Sequence, residues 1–366
     1  MKKIEIPFSS RNFFAYEHFS NQTKNVLLLC ADEENALTAY RQLLFFEGND
    51  DKIEKVLFLP SLDTVPYDRV SPSGEILAQR ATTLTKLAQS NTPKIIVTAA
   101  QNLLNKLPAP SIFLHSTLPL KMGLKIDIEE LSAYLVANGF SRSASAVDSG
   151  EFAVRGEIVD LVTHSSQGYR INFGWNNIES IKEFDTYSQI SKKSLTEVTL
   201  SSASETLLNS TTITDFKNNF LRIFGVNHIK SPLYESIIIG HKFHGYEHLL
   251  PLFYKEMHNL SDFLGEHQVI YDNLCVQAIL EYEHTYHDFY ESRILSNKAN
   301  PASFYFALPV NNLITGAEEV KSNLTEANNI LLESGTHKHF SAMQSTSTQA
   351  KLEKKPEFDK LFEIIV

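Results

Sequence analysis

Val26 to Cys30 (VLLLC) is a short uninterrupted apolar run, and after it come Asp32, Glu33 and Glu34, then apolar positions at Leu37, Tyr40, Leu43 and Leu44. The run predicts a buried strand. The spacing behind it predicts an amphipathic helix whose first turn is acidic, where the unpaired backbone N–H groups favour negative charge. Val56 to Leu59 and Ile95 to Ala99 are two more buried runs, and Glu75 to Leu87 between them has helical spacing. Strands that alternate with helices in this way imply a parallel sheet with crossover helices, an α/β domain.

The texture changes after the loop around Pro108 and Pro110. Asp127 opens D-x-x-E with Glu130, the apolar positions Leu131, Tyr134 and Leu135 follow, and Asn138-Gly139 stops the pattern. This is a capped helix opening a new unit. From Phe152 to Phe184 the pattern is β: EFAVRGEIVDLV, a turn-like HSSQG, YRINF, a turn at Trp175 to Asn177, then IESIKEF. Tyr169, Ile171 and Phe173 alternate with Arg170 and Asn172, as a half-exposed antiparallel strand requires. A small α+β domain is therefore expected over residues 119–206. The polar stretch Ser201 to Thr212 is expected to be its exit linker. Beyond it, Ile237 to Ile239 and Val269 to Tyr271 have the look of buried runs, and Tyr282 to Phe289 that of an aromatic helix face. The strand-like NILLES from Asn329 is expected to open a further domain over 331–366 that the sequence does not complete.

With 366 residues and 43% apolar content, the chain can build more than one core. The formal net charge of −10 and pI near 5.7 make the phosphate backbone of DNA an unexpected direct ligand. Two cysteines, Cys30 and Cys275, are too few for a disulfide framework or a cysteine zinc site. The start MKKIEIPFSS lacks the apolar stretch of a signal peptide, and no run approaches the ~20 apolar residues of a spanning helix. A soluble, cytoplasmic chain with no membrane contact is expected.

An α/β domain invites the question of a nucleotide, but no G-x-x-x-x-G-K-[ST] occurs, so nothing supplies the phosphate-cradling loop and its lysine. The acids after VLLLC then serve as helix-start charges. His241, His244 and His248 lie close in sequence, as do His284 and His287, without H-E-x-x-H or well-placed carboxylates. G-x-S-x-G and kinase signatures are absent. No catalytic residue, cofactor or metal is expected in this segment. Binding remains. Arg155 and Arg170 sit on two strand-like segments of the α+β unit with Phe173 and Trp175 nearby, and arginine and aromatic side chains are the types enriched at interface hot spots. The plainer reading has Phe173 in the sheet core and the arginines paired with local acids such as Glu151 and Glu157.

Four blocks make the chain more specific. LPSLDTVPYDRVSPSGEILAQRATTLTKL (59–87), SGEFAVRGEIVDL (149–161), NNIESIKEFDTYSQIS (176–191) and GYEHLLPLFY (245–254) resemble, in order, segments of the amino-terminal, UvrB-like region of the bacterial transcription-repair coupling factor (Mfd) family. The resemblance implies a degenerate, P-loop-less helicase-like α/β domain over 1–118 and 207–330, interrupted by a UvrA-binding α+β domain over 119–206. It implies that Arg155 and Arg170 are UvrA-binding arginines. The accompanying aromatic falls on Phe173, or on Trp175, since Gly174 stands where the family has a second ring. It further implies a parent protein that is an ATP-dependent, magnesium-requiring translocase on double-stranded DNA and that binds RNA polymerase through parts outside this chain. The competing reading is a UvrB-like DNA helicase or ATPase with a nonstandard nucleotide site.

Overall fold

A computed structural model describes residues 1–48, 54–164, 167–301 and 304–335. The chain opens with β1 (Lys2–Ile6), α1 (Arg11–Ser20), β2 (Asn25–Cys30), α2 (Glu33–Glu47), β3 (Val56–Leu59), α3 (Gly74–Gln89) and β4 (Ile95–Ala99). Much further on, β13 (His267–Asp272) and β14 (Ile330–Ser334) join these strands in one six-stranded sheet of order β1-β14-β13-β2-β4-β3, with every pair parallel. Its inner strands are covered on both faces, which is why they read as unbroken apolar runs. The pleat divides them: Val26, Leu28 and Cys30 enter a core with α1 and α2, while Leu27 and Leu29 enter the opposite core with α3, the short α8 (Ser261–Leu264) and the long α9 (Asn273–Ala299).

Between the two halves of this sheet lies a second unit. α4 (Pro110–His115) still belongs to the parallel-sheet domain, with Phe113 in its core, and the second unit comprises β5 (Leu118–Lys121), α5 (Ile128–Ala137), β6 (Ser141–Arg142), β7 (Glu151–Arg155), β8 (Ile158–Val162), β9 (Gln167–Phe173), β10 (Ile178–Asp185), β11 (Ser191–Leu195) and β12 (Glu197–Leu200). Strands β6 to β11 form a sheet in the order β11-β10-β9-β8-β7-β6. One face of it packs Phe152, Val159, Leu161, Ile171, Phe173 and Ile181 against Leu131 and Leu135 of α5. β5 and β12 pair antiparallel, Leu118 opposite Leu200, so the entry and exit of the unit are joined side by side. Asp127 caps α5 by accepting the Glu130 N–H at 2.7 Å. The turn at Ser165 and Ser166, within HSSQG, lies outside the described residues.

Three sequence expectations are corrected. Ile330–Ser334, expected to open a further domain at 331, is an inner strand of the parallel sheet, between β1 and β13; residues 336–366 lie outside the described residues. Ile237 to Ile239, expected to be a buried run, is the end of the helix α7 (Pro232–Ile238): Ile237 is buried and Ile239 exposed. The stretch expected to be a polar exit linker is buried from Ser202 to Leu208, and Asn209 then caps α6 (Ser210–Phe224).

That strap is buried because its polar groups find partners. Ala203 N–H donates to Asn138 O, Leu208 N–H to Ala137 O, and Tyr254 Oη to Glu205 O at 2.6 Å. The Glu205 carboxylate pairs with Nε of Arg80, whose Nη1 donates to Pro60 O at 2.6 Å and Asn102 Oδ1 at 3.0 Å. Arg80, on α3, is fully buried. A second tie comes from Lys242, whose Nζ donates to Gly139 O at 2.6 Å and Ser141 Oγ at 2.9 Å. The inserted unit is thus fastened at its base, and the far face of its sheet, apart from a small cluster of Ala153, Val162 and Phe184 under Ala146, is left without a packed layer.

Candidate partner-binding site

Period-two alternation sends Tyr169, Ile171 and Phe173 inward and leaves Arg170 and Asn172 on the open face of the sheet. Register aligns three charged residues there: Asp160 stands directly opposite Arg170 across β8 and β9 and opposite Ala153 on β7, two positions before Arg155. Both arginines converge on Asp160. Arg170 engages it bidentately, Nε to Oδ1 at 2.7 Å and Nη2 to Oδ2 at 2.9 Å, and the Arg155 guanidinium pairs with Oδ2. The carboxylate is fully buried beneath them, while the side chain of Arg170 is 18% and that of Arg155 49% accessible. The Asp160 hydrogen bonds hold the Arg170 guanidinium above its ordinary pKa, against the opposing effect of its partial burial. Its carbon also sits 5.0 Å over the Phe184 ring.

Two cations on one anion leave this part of the face net positive in a chain that is negative overall. Lys182, opposite Arg170 on β10, adds to it. The buried acid fixes both forks, so a partner carboxylate would meet donors already oriented, and bidentate capture needs that geometry. Neither Glu151 nor Glu157 plays the part the plainer reading gave it. Glu151 accepts the backbone N–H groups of Val147 and Asp148 instead.

The two aromatic candidates part company. Phe173 is 3% accessible and belongs to the apolar core, so its assignment as a partner-binding residue is corrected: alternation points it away from the arginine face. Trp175 is 95% accessible. It rides the β9–β10 turn, closed by Gly174 N–H to Asn177 O at 2.9 Å, with Asn176 at φ 56°. The Glu179 side chain lies over Gly174, where a residue with a side chain would meet it. Phe173 N–H donates to Glu157 O, so this turn sits beside the β7–β8 turn that follows Arg155.

The residue reading missed Tyr187 and Ile190, 89% and 65% accessible in the β10–β11 turn. The signal was present: two large apolar residues inside the polar DTYSQIS, out of step with the alternation of β10. Arg170 touches this turn, Nη1 donating to Gln189 O at 3.2 Å and Ser191 Oγ at 3.3 Å.

At the carboxyl ends of the parallel strands, where open α/β sheets bind ligands, the chain's own groups fill the space. Asp32 occupies the amino end of α2, accepting the Asn35 N–H at 2.8 Å, and Glu33 accepts the Ser61 N–H at 3.0 Å. Arg11 pairs with Asp272 and Arg80 with Glu205.

A largely antiparallel sheet carrying two arginines on one buried acid is mounted as an insert on a parallel α/β domain, the arrangement of a candidate interaction module, and residues 118–205 match the family model described as the UvrB interaction domain. Over its whole length the chain is 46% identical to the transcription-repair-coupling factors of Rickettsia conorii (strain ATCC VR-613 / Malish 7) and Rickettsia bellii (strain RML369-C), covering 32% of each. It is 28% identical to that of Escherichia coli (strain K12) over 63% of this chain and 20% of that protein. The chain belongs to the transcription-repair-coupling factor family and corresponds to its amino-terminal region. It spans about a third of the length of the curated relatives it matches.

Proposed function

We propose that this chain recruits UvrA through the open face of its inserted domain, with Arg155 and Arg170 as charged anchors and Trp175 as an apolar one. The observation that carries the reading is the pair of guanidiniums held on the buried Asp160 within a domain that matches the UvrB interaction family. Each arginine meets a carboxylate of the partner, and desolvated pairs of this kind cost on the order of 2 kcal/mol or more when one side is truncated. Recruitment of UvrA would couple stalled transcription to nucleotide excision repair. In the parent protein, RNA polymerase and double-stranded DNA are bound, and ATP with magnesium is consumed, by regions outside this chain, in the cytoplasm.

This segment itself hydrolyses no nucleotide and holds no cofactor or metal. Support for that comes from Asp32, whose carboxylate sits at the amino end of α2 and takes the Asn35 N–H there, where a phosphate would otherwise bind. Among the described residues no helix is long and apolar enough to cross a membrane.

The test is a calorimetric titration of purified UvrA into the chain and into an Arg155→Ala, Arg170→Ala variant whose fold has been checked. Binding lost in the variant is the expected result. Equal affinity for both would remove the arginine face from the account.

A further inference from the structure

The β10–β11 turn is built as a rigid presenter. Asp185 Oδ1 accepts both the Ser188 N–H at 2.9 Å and the Ser188 hydroxyl at 3.0 Å, and Lys192 Nζ closes on Oδ2 at 2.8 Å. Gln189 N–H donates to Asp185 O at 2.7 Å, and its side-chain amide donates to Thr186 O and Ala146 O. Five hydrogen bonds or ion pairs within the turn, and a sixth that ties it to Ala146, hold the frame from which two large apolar side chains, Tyr187 and Ile190, stand out in water. Apolar groups exposed on an ordered frame mark a contact surface, because little conformational freedom is left to lose on binding.

The turn is continuous with the arginine face through Arg170, which donates to Gln189 O and Ser191 Oγ. On its other side Tyr187 walls a cleft of about 570 Å³ together with Val147 and Asp148 of the inserted domain and Ser73 and Glu75 at the start of α3. The cleft therefore spans the junction of the two domains.

We infer that Tyr187 and Ile190 form a second, apolar anchor for UvrA, and that a polar side chain of UvrA reaches the serine- and carboxylate-lined cleft behind Tyr187, so that the bound partner touches α3 as well as the inserted domain. This rests on the reading that UvrA docks on the arginine face. The arginines meet carboxylates while Tyr187 and Ile190 bury apolar surface, so the complementary patch on UvrA is acidic beside apolar. Anchors on both flanks of Arg170 exclude water from the charged pairs between them.

The experiment titrates UvrA into a Tyr187→Ser, Ile190→Ser variant, with the Arg155→Ala, Arg170→Ala variant, Tyr187→Phe and each single serine variant alongside. Thermal unfolding checks each fold, and sedimentation tracks self-association. At least about ten-fold weaker binding by the folded turn variant, with Tyr187→Phe near wild type, is the expected result. If the turn variant binds as wild type does while the arginine variant fails, the inference falls and the function stands. If wild type does not bind UvrA, both fall. If the turn variant binds UvrA normally and instead loses self-association, the patch belongs to a second copy of this chain and the inference is overturned. Should the double variant not fold, the single Ile190→Ser and Tyr187→Ser chains decide by the same criterion.

Discussion

Arg170→Ala should destabilise the inserted domain far more than Arg155→Ala, although both arginines contact the same carboxylate. Arg170 supplies two of the hydrogen bonds to Asp160, at 2.7 and 2.9 Å, and Asp160 has no accessible surface of its own. Breaking a buried pair from one side costs about 3–5 kcal/mol, because an uncompensated charge stays behind. Arg155 would remain and the space vacated by Arg170 would admit water, which brings the expectation down to about 2–3 kcal/mol, including the lost packing over Phe184. Arg155 is half exposed and makes a single contact with Asp160, so its removal should cost less than about 1 kcal/mol. Urea denaturation followed by circular dichroism reads the difference as a shift in midpoint at constant slope. In an Asp160→Asn background the Arg170→Ala cost should shrink, since no buried charge is left behind. Equal costs for the two arginines, or an Arg170→Ala cost that Asp160→Asn leaves unchanged, would refute the account of Asp160 as their shared buried anchor. For binding studies Arg155→Ala is consequently the gentler probe.

Other perturbations reach the junction and the α/β domain. Arg80→Met strands the buried Glu205 carboxylate and leaves Pro60 O without its side-chain donor, so it should cost about 3–5 kcal/mol by urea unfolding; a loss under about 1 kcal/mol would contradict the role of Arg80 as the tie between the domains. Burial pushes the Glu247 carboxyl up to about 7, although Ser71 Oγ donates to it at 2.7 Å. Because the folded value lies above the unfolded one, the favourable contribution is complete below about pH 4.5 and is lost as pH rises through 7. Glu247→Gln should therefore gain thermal stability relative to wild type progressively between about pH 4.5 and 8, and a difference that stays flat across that window would sink the assignment. Burial holds nearby His248 down to about 4, so it acts in the opposite sense between about pH 4 and 6.5, and its effect cancels when the two proteins are compared. Magnesium ATP should leave the melting temperature unchanged; a rise matching the about 2.7 kcal/mol given by a ligand at 100 times its dissociation constant would revive a nucleotide site.

The strands buried on both faces were legible because burial on two sides demands apolar residues at every position, as in VLLLC and IIVTA. β1 was not. Lys2, Lys3, Ile4, Glu5 and Ile6 form an edge strand with mostly exposed positions, so its composition carries little signal. The strap from Ser202 to Leu208 read as solvated because Ser202, Ser204, Glu205 and Thr206 are polar, and their burial depends on partners far away in sequence, Arg80 and Tyr254 above all. β14 read as the start of something new because its neighbours in the sheet are β1 and β13, and nothing in ILLES announces a partner at the other end of the chain.

At the site, residue type drew attention to both arginines but only the family resemblance put them ahead of the plainer reading, and Phe173 was placed in the contact although the alternation along YRINF points it into the core. What joins the arginines was less visible. Asp160 interrupts the apolar run IVDLV, and a lone acid at the centre of a strand asks for a cation, but which cation answers is decided by register across three strands. Tyr187 and Ile190 left a compositional signal, two large apolar residues in a polar turn, but turn residues obey no periodicity, and which way they face is set by the hydrogen bonds that shape the turn.

The central claim is that UvrA lies on the open face of the inserted sheet, and a hydrogen-exchange footprint of this chain with and without saturating UvrA tests it most directly. The account predicts slowed exchange on β7 to β9 around Arg155 and Arg170 and in the Trp175 turn, with the parallel-sheet strands β2, β3 and β4 unchanged. Slowed exchange confined to the parallel-sheet domain, with the arginine face unaffected, would contradict it.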